Sequence, residues 1–201
     1  MQSTTTLAQQ EEHLFKVLRS ERFLKMEGLG NEVAHFIYDY DPAWALNVAQ
    51  AKKRIKTKLD TELGIRVFEI NLYDLCIELL KERNVWERVL AAEPTMDKPD
   101  FLKMLQNMLD PQVHLAPAIK ARIQAETFQI LFLTGIGEVF PFVRSHTVLN
   151  NLQTVVSDRP MLMFFPGRYE VSPTQGSALV LFGQLKDDSF YRAKRILDQE
   201  A

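Results

Sequence analysis

Hydrophobic positions along this chain alternate between helical spacing and short unbroken runs. From Leu7 to about Lys25, residues Leu14, Val17, Leu18, Phe23 and Leu24 recur near helical spacing, and Gly28 and Gly30 follow. This predicts an opening amphipathic helix, broken near Ser20. Residues 35–40 are aromatic and apolar with an acidic end, and Pro42, which would not sit in a central strand, comes next. They predict a strand. Trp44, Val48, Ile55 and Leu59 then fall on one helical stripe that ends near Gly64. Ile65–Leu72 reads as a second strand, and Asp74–Arg83, with Leu75, Leu79 and Leu80, as a second helix.

Residues 84–127 read as helical throughout, divided by Pro94, Pro99, Pro111 and Pro117 into short pieces. The uncharged run 127–133 is strand-like and leads into Thr134-Gly135-Ile136-Gly137. A helix is expected from about Phe140 to Val156, with Val143, Val148, Leu149, Leu152 and Val156 as its stripe. Met161–Phe165 and Ala178–Phe182 suit strands buried on two faces, and Ser189–Leu197 suits a closing helix. The sum is a single α/β domain over 1–201 with a helical insertion at about 84–127. Its sheet is mainly parallel, of about five strands, with helices on both faces. The order is P-loop-like, without the P-loop motif.

Composition leaves this picture standing. The chain has 201 residues, 46% of them hydrophobic and 25% charged, close to an average globular protein. A net charge of -2 gives no general pull toward nucleic acid. The lone cysteine, Cys76, excludes an internal disulfide and a Cys-based zinc cage, and it sits in an apolar stretch where a small core residue fits. No signal-peptide pattern and no long uncharged apolar run occurs, so the expectation is a cytoplasmic protein without membrane contact.

Candidate chemistry is sparse. The turn at Gly135 and Gly137 follows a strand and precedes a helix, where backbone N–H groups could face a phosphate. It lacks the lysine and glycine spacing of a P-loop, and Phe140 stands at the third glycine position of a dinucleotide fingerprint. A tight structural turn and a residual nucleotide site are the two readings. Asp39 and Asp41 could hold Mg²⁺ or cap the helix after Pro42. The histidines at 13, 35, 114 and 146 lack helical metal-pair spacing, and Ser145 with His146 makes no dyad. Lys52, Lys53, Arg54, Lys56 and Lys58 form a basic run, read either as a solvated helix face or as a phosphate-tracking patch for DNA or RNA. No cofactor, no metal and no catalytic group is assigned.

The segments Phe36–Pro42, Glu69–Leu75, Leu133–His146, Met163–Tyr169 and Leu181–Ala193, the last two being the most distinctive, together resemble the BrxB family of the BREX (bacteriophage exclusion) defence systems. The turn at 171–176 differs slightly from the family's usual Asp-Gly version. The resemblance implies a small accessory, non-enzymatic protein working beside a BREX ATPase, a methyltransferase and the alkaline-phosphatase-like protein PglZ, with PglZ the expected partner. It supplies no catalytic residues. Exposed aromatic or arginine anchors would carry such a contact, and Trp86, Arg168, Tyr169 and Tyr191 are the candidates.

Overall fold

The computed structural model describes residues 5–27, 34–172, 176–187 and 193–200. Helix α1 (Leu7–Leu18) begins at a capping box in which Thr6 and Gln9 satisfy each other's backbone N–H groups. Ser20 then caps a separate short helix, α2 (Glu21–Leu24), so the expected break falls where a serine can start a new turn. Strand β1 (His35–Tyr40) leads through a 3₁₀ turn at Pro42–Trp44 into α3 (Ala45–Leu63), which buries Val48, Ala51, Ile55 and Leu59. Strand β2 (Val67–Asn71) runs directly into α4 (Leu72–Glu82).

The insertion is helical: α5 (Trp86–Ala92), α6 (Lys98–Met108), a π turn (Pro111–Leu115) and α7 (Ala116–Ala125). Pro99, Pro111 and Pro117 lie in first turns, where the missing N–H costs nothing, so these prolines start helices. After β3 (Ile130–Thr134) come α8 (Ser145–Leu152), β4 (Met161–Ser172), β5 (Gly176–Leu181), β6 (Leu185–Asp187), β7 (Lys194–Arg195) and a 3₁₀ turn at Ile196–Asp198.

Five strands form a parallel sheet in the order β2-β3-β4-β1-β7. Alternate residues serve opposite faces. Phe36, Tyr38, Phe132, Leu162 and Phe164 meet α1 and α3 on one side. Ile37, Leu131, Leu133, Met161 and Met163 meet α4, α7 and α8 on the other. Such double coverage explains the unbroken apolar runs of β3 and early β4.

Three expectations need correction. The run 178–182 is not a further parallel strand: β4 continues past Pro166 and pairs antiparallel with β5, which pairs with β6. The fifth parallel strand is β7, inside the segment expected to be helical; of 189–197, the described part is strand and 3₁₀ turn. The helix after the glycine turn is shorter than expected: the chain up to Val143 is held in turns closed by the Glu138 N–H on the Gly135 carbonyl and the Val143 N–H on the Val139 carbonyl, and α8 ends at Leu152, with turn and bend at 153–156. Its stripe is nonetheless buried as expected.

Candidate functional site at the carboxyl ends of the strands

Parallel sheets build ligand sites beyond the carboxyl ends of their strands. In this chain those ends are occupied by the chain itself. Asp39, at the end of β1, is buried; it accepts from Arg195 Nε at 2.6 Å and from the Tyr169 N–H at 3.1 Å. Asp41 accepts from the Ala43 N–H at 2.9 Å and caps the turn after Pro42. The two carboxylates are therefore committed to different tasks. Asn71, at the end of β2, caps α4 through the N–H groups of Tyr73 and Asp74.

Both glycines of the 134–138 turn are explained by what presses on them. Gly135 has a φ of +76°, and a Cβ there would stand 2.9 Å from Asn71 Cγ and 3.0 Å from the Leu72 nitrogen. A Cβ on Gly137 would stand 2.9 Å from the Phe182 ring and from Pro166 Cγ. Packing against Asn71, Leu72, Phe182 and Pro166 thus accounts for both glycines without a ligand.

The hairpin that supplies the ring ends in an apolar tip. Phe182 holds a left-handed backbone (φ +54°), rare for a bulky residue, and the residue is 39% exposed. Leu185, at the start of β6, is 42% exposed. Arg168, on β4, reaches toward the Gly183 carbonyl and Glu170, each at 3.5 Å. Beside the tip a groove of about 280 Å³ opens, with Phe140, Leu179, Leu181 and Leu185 in its wall and Arg144 and Lys186 at its rim. Sequence reasoning missed Phe182 and Leu185, because the run 178–182 reads as a buried strand; Gly183, directly after it, was the available sign of a turn.

The other candidates are scattered. Trp86 is half-buried, packed on the core with Lys81 Nζ 5.6 Å from its ring centroid. Tyr169, an expected surface anchor, is only 7% exposed and donates its hydroxyl to the Ala193 carbonyl at 2.8 Å, so its place is in the interior. Tyr191 lies outside the described residues. Cys76 is buried, and burial pushes its thiol up to about 12.

The basic run is less available than its composition suggests. Lys52 and Lys56 both pair with Glu69 of β2, Arg54 holds Glu11, and Lys58 lies 5.6 Å over the Phe15 ring. Burial raises the Glu69 pKa, but the lysines outweigh it and hold the carboxyl below its ordinary value. Lys53 alone of the five makes no such contact among the described residues. A groove of about 710 Å³ between α3 and the β2 edge mixes Lys52, Lys53, Lys56 and Arg66 with Asp60, Glu69 and Glu126, so its charge is divided. No cluster of three or more His, Cys, Asp or Glu suited to a metal occurs among the described residues. Among them, too, no helix is long and apolar enough to cross a membrane.

The model of the family "BREX protein BrxB" matches residues 68–196. A BREX protein BrxB from Bacillus cereus (strain H3081.97) is 35% identical over 180 residues, spanning 88% of this chain and 90% of the relative. This chain belongs to the BrxB family. A second BrxB, from Escherichia coli O9:H4 (strain HS), is 30% identical over 180 residues, covering 90% of this chain and 86% of its own length. No solved structure matches. The matched region of this BrxB-family chain takes in β2 through β7, and with them the glycine turn and the hairpin tip.

Proposed function

We propose that this chain is a non-enzymatic component of a BREX phage-defence assembly in the cytoplasm, acting by binding another protein of the system, a PglZ-like protein first among them. Family membership supports the assembly. The observation that carries the mode of action is the filled carboxyl end of the sheet: Asn71, Phe182 and Pro166 occupy the glycine turn, Arg195 and Tyr169 occupy Asp39, and an apolar tip stands exposed beside them. Phosphoryl chemistry needs metal ligands and positioned cations around open space. A protein contact needs exposed apolar and arginine anchors. A nucleotide or nucleic-acid role has less support, since the glycine turn is packed and four of the five basic-run residues serve internal contacts.

The test is co-expression with the PglZ-like protein of the same operon, followed by size-exclusion chromatography at about 150 mM and about 500 mM salt. Co-elution at both is expected. Separate elution at both, with phage defence still requiring this chain, would overturn the reading.

A further inference from the structure

The groove beside the hairpin tip differs in kind from the larger one at the β2 edge. Its wall is aliphatic and aromatic, from Phe140, Leu179, Leu181 and Leu185, and among the described residues its charged lining is Arg144 and Lys186, of which Lys186 already has an interaction of its own. Its volume of about 280 Å³ falls near the lower end of small-molecule sites, roughly 300 Å³, and suits one large apolar side chain better than a whole cofactor. Arg144 is exposed at the N-cap position of α8, where the helix dipole repels a cation, and its guanidinium makes no hydrogen bond or ion pair among the described residues. This positive charge at an unfavourable end of a helix, above an apolar slot, has no counter-charge among the described residues.

We infer that this groove receives a short linear segment of a partner protein in which a leucine- or phenylalanine-like side chain is flanked by acidic residues. The apolar residue enters between Leu185 and Phe140, and a neighbouring carboxylate meets Arg144. The inference rests on the protein-binding role proposed above and adds the surface and the chemistry of what it binds. Buried apolar contact supplies the anchor, and the cationic rim supplies orientation and selection against basic segments.

The experiment uses the full chain, labelled, on an array of 15-residue peptides (about that length suffices for one anchor and its flanks) tiling the other proteins of the operon. Wild type, Leu185→Asp, Arg144→Glu and Lys53→Glu are compared, with melting temperatures measured in parallel. Bound peptides are expected to carry acidic residues around a large apolar one. Leu185→Asp and Arg144→Glu should each lower the signal at least about tenfold, and Lys53→Glu, on α3, should leave it unchanged. Arg144→Glu replaces a cation with an anion at a helix start, so it keeps or firms the fold; its binding should return when the acidic positions of a captured peptide are changed to lysine. Retained binding in both groove variants, capture of peptides without acidic residues, or no rescue by the lysine peptide would each overturn the inference. No captured peptide at all, alongside co-elution of the whole partner, would overturn the groove while leaving the protein-binding role intact.

Discussion

Two residues show how single positions are spent on the fold. Gly135 combines a positive φ with a position against the Asn71 cap, so any side chain meets both backbone strain and a clash. Gly135→Ala should cost about 2–3 kcal/mol, by the same amount with or without Mg-ATP; a denaturant melt reads both. A cost that appeared only with nucleotide present would restore the phosphate role to this turn. His35 is buried at the start of β1, its Nε2 3.1 Å from the Val156 carbonyl. Burial dominates and pulls its pKa down to about 4, against the carbonyl's opposing effect. In the unfolded chain it titrates near about 6.5. The depressed group leaves stability whole above about pH 6.5 and erodes it as the pH falls toward about 4, where the unfolded state binds the extra proton. Between pH 7 and 5 the loss from this residue should be about 2 kcal/mol. His35→Gln, which can still donate to Val156, should remove that part of the pH dependence; an unchanged slope would assign it to other groups.

Elements were legible where one cause decided them. The α3 stripe and its stop at Gly64, β1 and the buried runs of β3 and early β4 follow from spacing and apolar content alone. The hairpin was not, because β4 crosses Pro166-Gly167 without ending, and residues that commonly mark a turn here sit in a continuing strand that changes partner from β1 to β5. β7 was hidden for a different reason: two residues carry no period, and only pairing with β1 makes them a strand. The basic run of α3 lies between these cases. Its charge was plain, but its use depends on β2 arriving alongside with Glu69, and on α1 with Glu11. Lys52 and Glu69 are mostly buried, at 19% and 22% side-chain exposure, and the lysines cover an open sheet edge that would otherwise invite pairing. Lys52→Gln should therefore cost about 1–2 kcal/mol, against no more than about 0.5 kcal/mol for Lys53→Gln. Equal melting midpoints for the two variants would return the run to a plain solvated face.

Across the whole molecule, the parallel sheet is closed at one side by the two-residue strand β7, and the means of holding it is Asp39. Chain order put Asp39 and Arg195 156 residues apart, which is why the sequence offered capping or metal binding for the carboxylate and could not offer this. Arg195 Nε donates to Asp39, the Tyr169 N–H donates to its other oxygen, and the Tyr169 hydroxyl reaches the Ala193 carbonyl, so one buried carboxylate ties β1, the hairpin and the C-terminal segment together. Burial is the largest single effect and works against the Arg195 charge, but the hydrogen bond to Asp39 together with the attraction of the Asp39 and Asp198 charges outweighs it, raising the guanidinium pKa. Ile196 then packs with Leu14, Val17 and Leu18 of α1. Removing the carboxylate leaves a buried N–H unpaired and an arginine without its partner, so Asp39→Ala should cost about 2 kcal/mol, discounted because Arg195 is partly exposed. The loss should be local before it is global, since a two-residue strand has little else to hold it. Trypsin under native conditions should cut after Lys194 or Arg195 more than about tenfold faster in Asp39→Ala than in the parent, while Asp41→Ala, which loses only a surface cap, should cut at the parent rate. Mass spectrometry of the released C-terminal fragment reads the difference. Equal rates in all three proteins would mean that β7 is held by pairing with β1 alone. The prediction also bears on function: loss of partner binding in Asp39→Ala would report a loosened hairpin and C-terminal segment, and Asp41→Ala, its neighbour at the same strand end, is the control that separates that outcome from a shared acidic site.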